Sequence, residues 1–90
     1  MKFKAEIFIS LKPTVSDPQG MTIAEGLKQL GFESIDDVRA GKFIELSLNA
    51  KTISEGNDVI ADMCERLLAN PIIENYRFEI TPADRQSNNH

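Results

Sequence analysis

The sequence contains a single cysteine, a single histidine and no tryptophan. With Cys64 alone, no intramolecular disulfide can form, and a reducing compartment is the expected setting. With His90 alone, set in a polar C-terminal stretch, neither a serine–histidine pair nor a multi-histidine metal site can be assembled. No apolar run is long enough to suggest a transmembrane helix, and Met1-Lys2-Phe3-Lys4-Ala5-Glu6 brings in charge too early for the apolar region of a signal peptide. The ten basic residues are scattered and the net charge is −4, so the concentrated positive footprint of a nucleic-acid or membrane-surface binder is missing. The expectation is a soluble, cytoplasmic chain with no nucleic-acid and no membrane partner.

What is present suffices for one small domain. A 90-residue chain that is 41% apolar can form a core, but it buries only about 60–65% of the surface its unfolded form exposes. Small size without a disulfide or metal staple makes self-association, as a dimer or higher, the natural expectation.

The apolar residues fall into two periods. Phe3, Ala5, Ile7, Ile9 and Leu11 alternate with Lys2, Lys4, Glu6, Phe8 and Ser10, the period of two that marks a half-buried strand. Only Phe8 interrupts the polar face. The same alternation covers Val38–Leu48, with Phe43 on the otherwise polar side, and returns in Tyr76, Phe78 and Ile80 near the end of a strand expected over 72–80. Between the strands the spacing is helical. Asp17-Pro18-Gln19-Gly20 reads as a helix start, with Asp17 as N-cap and Pro18 where a missing amide costs nothing. Ile23, Ala24, Leu27 and Leu30 then form one face, and Gly31 is the expected left-handed stop. In the second helix Ser54 is the expected cap. Val59/Ile60, Met63/Cys64 and Leu67/Leu68 form the stripe, and Ala69-Asn70-Pro71 is the stop.

The fold class is therefore α+β, in the order β-α-β-α-β, with both helices on one face of the sheet. Parallel right-handed crossovers are one arrangement. If Val38–Leu48 breaks at Ala40-Gly41, a hairpin gives β-α-β-β-α-β, the ferredoxin-like order. One long, bent strand over 38–48, serving as spine of the sheet, fits the pattern best. Its exposed edges invite a second copy to extend the sheet. The domain spans 1–80, and 81–90 is a polar tail expected to be flexible.

Catalytic chemistry is scarce. Cys64 lies in an apolar stripe, where a small buried thiol is the ordinary reading. Asp36 and Asp37 are adjacent on extended chain and point to opposite faces, so they do not form an acid/base pair. Gly41-Lys42 lacks the glycines and the following helix of a phosphate-binding loop. Arg39 and Lys42 present positive charge on a strand, available to a partner's carboxylate or simply solvated. The residues alone indicate a domain that binds, bridges or regulates.

The segments Asp17-Pro18-Gln19-Gly20, Val38-Arg39-Ala40-Gly41-Lys42 and Met63-Cys64-Glu65-Arg66-Leu67-Leu68-Ala69-Asn70-Pro71-Ile72-Ile73-Glu74 occur in the order and spacing of the PurS family. The chain resembles that family from about Lys2 to Ile80; Ser16 and the polar tail depart from its usual pattern. PurS is the small subunit of phosphoribosylformylglycinamidine (FGAM) synthase in purine biosynthesis. The resemblance implies a non-catalytic subunit of an ATP- and glutamine-dependent C–N ligase. It would dimerise, join a glutaminase subunit to a synthetase subunit, and assist ammonia transfer between them. ATP and magnesium would belong to the synthetase subunit, leaving no catalytic, cofactor or metal residues on this chain. By resemblance, Asp17, Gly20, Arg39, Gly41, Lys42, Asn70, Pro71 and Glu74 are the assembly positions, with Arg39 and Lys42 facing a partner. A stand-alone domain that binds a small metabolite and regulates is the competing reading.

Overall fold

The inward residues of the first strand are sealed from water, because that strand has a neighbour on each side. The computed structural model describes residues 1–83. In it β1 (Lys2–Leu11) pairs antiparallel with β2 (Gly41–Asn49) and with β3 (Glu74–Pro82), giving the sheet order β2-β1-β3. Helices α1 (Pro18–Gln29) and α2 (Ile53–Met63) fill the two connections. The class is α+β and the order β-α-β-α-β, as the periodicities indicate.

Two expectations need correction. The stretch around Val38–Leu48 is not the spine of the sheet: β2 is an edge, and β1 holds the centre. Val38, Arg39 and Ala40 also stay outside the ladder. Ala40 gives its amide to the carboxylate of Asp17 at 2.8 Å, so pairing begins only at Gly41. The strands are antiparallel rather than parallel, and no hairpin interrupts β2. A period of two specifies which side chains share a face; it carries no information on neighbours or direction.

The core lies where α2 crosses β1 and β3. Ala5, Ile7 and Ile9 of β1 meet Ile60 and Cys64, and Phe3 is buried near Gly56; all of these apolar side chains are 2% exposed or less. Each large apolar side chain buried there contributes about 1.5–3 kcal/mol. The N-cap of α2 is Thr52, two residues before the expected Ser54. Its hydroxyl accepts from the Glu55 amide at 3.1 Å, while Glu55 Oε1 accepts from the Lys51 amide at 2.6 Å. A threonine followed three residues on by a glutamate can satisfy two free donors at once, which a lone Ser54 cannot match. After Met63 the helix widens into a π turn over Cys64–Leu68, closed by the Ala69 amide on the Cys64 carbonyl at 3.0 Å. That turn ends the helix before Asn70-Pro71.

Helix α1 begins and ends as its sequence predicts. Asp17 caps it, Gly31 takes a φ of 101°, and the Phe32 amide returns to the Leu27 carbonyl at 3.0 Å. Its apolar stripe is another matter. Met21 is 63% and Leu30 75% exposed, and α1 makes no extensive contact with the sheet. Ile44, Leu46 and Leu48 of β2 are half-buried and pack at the margin of the core. The radius of gyration is 17.0 Å, against about 12 Å for a closely packed chain of this length. The strand β3 continues through Pro82, past the expected end at Ile80; the expected flexible tail otherwise falls on residues 84–90, outside the described residues.

Candidate functional site

The assembly positions singled out in the sequence gather at one end of the sheet and form a clasp. Asp17 is its centre and, among the described residues, the one polar side chain that is buried. Its Oδ1 accepts the Gly20 amide at 2.9 Å and its Oδ2 accepts the Ala40 amide at 2.8 Å. Those two backbone donors, helped by the nearby Arg39 charge, hold the carboxyl below its ordinary range despite burial. Gly20 lies against the Val38 carbonyl, so closely that a Cβ there would collide with the backbone oxygen. Gly41 lies in the same way against Ile9; a Cβ would come 2.5 Å from that carbonyl oxygen. Both glycines are therefore explained by close backbone approach.

Arg39 folds back on its own chain. Its guanidinium donates to the carbonyls of Lys12 at 3.0 Å and Val15 at 2.9 Å, tying β1's exit loop to β2's entry. Lys42 Nζ lies 3.7 Å from Glu74 Oε2, an ion pair with the lysine largely in water, which makes it a weak contributor to stability. The other Glu74 oxygen accepts the Asn70 amide at 2.7 Å, and Asn70 Oδ1 accepts the Ile72 amide at 3.1 Å. Pro71 sits exposed inside that turn. All eight positions thus belong to one region, and most of their polar atoms are occupied by the chain's own backbone.

Other polar groups have equally local partners. The Tyr76 hydroxyl donates to Glu65 Oε2 at 2.7 Å, and this bond to a carboxylate raises the tyrosine's pKa. Burial pushes the Cys64 thiol up, with Glu65 adding to the effect. A thiol shifted in that direction keeps its proton and presents little thiolate. Among the described residues no group of three histidine, cysteine, aspartate or glutamate side chains is placed to hold a metal ion.

One constellation lies outside the positions singled out in the sequence. Phe8 and Phe43, the two apolar residues on otherwise polar strand faces, are direct cross-strand partners, with ring centroids 5.1 Å apart. Arg77, opposite Phe8 on its other side, places its guanidinium carbon 4.1 Å from the Phe8 ring centre. An open groove of about 420 Å³ runs along this row. The signal was legible as two breaks in alternation; their meeting depended on strand register.

A small antiparallel α+β unit has here one structural clasp, an exposed apolar helix face and an aromatic row on an open sheet. Those features define a subunit-type domain, built for association. The family model described as PurS, phosphoribosylformylglycinamidine (FGAM) synthase, matches residues 4–82. The chain belongs to the PurS family. It is 44% identical over 79 residues to the PurS subunit of FGAM synthase from Synechocystis sp., covering 88% of this chain and 79% of that one. It is 38% identical over 78 residues to the subunit from Bacillus subtilis, covering 87% and 92% respectively. Its fold matches a chain in the structure of PurLQS from Thermotoga maritima with a TM-score of 0.82 at 30% identity, over 90% of this chain and 99% of that one.

Proposed function

We propose that this chain is the non-catalytic small subunit of FGAM synthase, the ligase that makes phosphoribosylformylglycinamidine for purine biosynthesis in the cytoplasm. In this reading it associates with itself and bridges a glutaminase subunit and an ATP-dependent synthetase subunit. Its family and its likeness to a chain of the T. maritima PurLQS structure support the assignment. The observation that carries the association is the exposed apolar surface of α1, with Met21, Ile23 and Leu30 turned to water in a chain this small. Exposed apolar area of that extent is a cost for a lone molecule and a gain once covered. A second copy of the chain can cover that surface.

The physical service such a subunit performs follows from the chemistry of ammonia. Released into water at neutral pH, ammonia is protonated and loses its nucleophilic lone pair. A scaffold that holds donor and acceptor sites together and excludes water keeps it reactive. In the same proposal the end of the sheet shaped by Asp17, Gly20, Arg39, Gly41, Lys42, Asn70, Pro71 and Glu74 is presented to a partner. If alanine at both Arg39 and Lys42 leaves the complex unchanged in size-exclusion chromatography, that orientation is wrong.

Reconstitution tests the function directly. The chain is mixed with the glutaminase and synthetase subunits of the same source, and glutamine-dependent synthesis is measured with and without it. Synthesis that requires this chain is expected; synthesis that proceeds equally without it overturns the proposal. Calorimetry that finds tight amino-acid or nucleotide binding to the isolated chain would favour a regulatory metabolite-binding domain instead.

A further inference from the structure

Four of the five glycines are explained within the single chain. Gly20 and Gly41 lie against backbone carbonyls, a Cβ on Gly56 would meet Ile80 Cδ1 at 2.7 Å, and Gly31 takes a positive φ. Gly26 is the exception. It stands in the interior of α1 on ordinary helical backbone, and no atom of the described residues lies within 4 Å of where its Cβ would be. A glycine there loses more conformational freedom on folding than an alanine and weakens the helix. Nothing in the lone chain offsets that cost.

On a helix surface a residue is bordered by those three and four positions away on either side. For Gly26 these are Thr22, Ile23, Gln29 and Leu30. Ile23 is 41% and Leu30 75% exposed, so Gly26 is the floor of a notch between two bare apolar side chains. None of the four is charged, and the Thr22 hydroxyl already donates to the Pro18 carbonyl at 3.0 Å. Covering the notch therefore desolvates no ion and strands no hydroxyl. The surface is also self-complementary, because recess and ridges share one face. Two copies related by a twofold axis can each seat the ridges of one helix beside the recess of the other. No like charges are brought together around Gly26 in that arrangement.

We propose that α1 packs on α1 of a second copy, the two helices crossing at Gly26, where the missing side chain lets the backbones approach. The inference rests on the self-association proposed above and adds its contact point. It differs in sign from a plain apolar patch. Such a patch gains contact area from a larger apolar residue at its centre, whereas a notch that a partner fills is blocked by one.

The test compares the full wild-type chain with Gly26→Leu by sedimentation velocity over a range of concentrations. Leucine is a good helix former and enters open space in the lone chain, and circular dichroism checks that the fold persists. Self-association at least about tenfold weaker is expected. Gly26→Ala should weaken it less, and should raise the urea midpoint at concentrations where the chain is monomeric. Equal or tighter association of the leucine variant would overturn the crossing at Gly26 while leaving self-association intact. The alanine variant decides in the same way should the leucine variant misfold. An alanine midpoint that falls would show that the single chain itself needs this glycine, and would also overturn the inference. A wild-type chain that stays monomeric at every concentration would overturn self-association, and this inference with it; the reconstituted synthesis tests the subunit role separately.

Discussion

The carboxylate of Asp17 binds the amide of Ala40 at 2.8 Å across 23 residues of sequence. Through its other oxygen it also caps α1 at Gly20. One side chain therefore starts the first helix and sets where β2 may enter the sheet. An asparagine keeps one acceptor oxygen and sets an NH2 donor against the other amide.

Stability should accordingly depend on Asp17 at acid pH. The carboxyl titrates below its ordinary value of 3.8 in the folded chain. A depressed carboxyl stabilises the fold fully above its unfolded pKa, and that contribution is lost as pH falls through the folded one. The difference in urea midpoint between wild type and Asp17→Asn should be constant from neutral pH down to about pH 5. It should shrink below about pH 4. A difference that does not change over that range would show that Asp17 acts only by shape.

Gly20→Ala should be costly for a different reason. Its new methyl group meets the Val38 carbonyl, which is backbone and cannot turn aside. We expect a loss of about 1–3 kcal/mol in urea unfolding. Because α1 then leaves the clasp at a changed angle, self-association should weaken as well, measurable by sedimentation equilibrium.

Ile60→Ala tests the core. Ile60 is fully buried where α2 meets β1 and β3, and truncation there should cost about 2–5 kcal/mol. Against a total of about 5–15 kcal/mol for a domain, thermal melting should show a large drop in midpoint. A small drop would mean that the site collapses around the missing atoms.

Glutamate at both Met21 and Ile23 should leave the isolated chain folded, since both side chains are exposed. It should abolish self-association if a second copy covers α1. Light scattering after size exclusion would report a monomer. A variant that elutes and scatters as wild type would place the dimer contact away from α1.

Cys64 should be chemically silent until the chain unfolds. It is fully buried and its thiol is pushed up by burial. A thiol reagent at about pH 8 should react with one equivalent in denaturant and with almost none in buffer. Rapid reaction in buffer would show that the π turn opens readily.

Much of this architecture is local and was legible from the residues alone. Asp17-Pro18 starts a helix and Gly31 stops it, because capping and a left-handed glycine involve only neighbouring backbone. The alternation in β1 foretold which side chains would be buried, because a strand's faces are set by its own geometry. The family, too, was readable from three spaced segments. Tertiary structure decided the rest. Whether Val38–Leu48 would be spine or edge depended on which strands pair, and alternation is blind to pairing. The apolar stripe on α1 is plain in the sequence, but its exposure follows from where the Asp17 clasp directs the helix. Ser54 lost the cap to Thr52 because the Thr52 hydroxyl accepts the Glu55 amide while the Glu55 carboxylate accepts the Lys51 amide. Phe8 and Phe43, two lapses in separate patterns, became one aromatic row only when β1 and β2 took their register. Nearest-neighbour chemistry is written along the chain, whereas contacts between distant segments exist only once the chain has closed on itself.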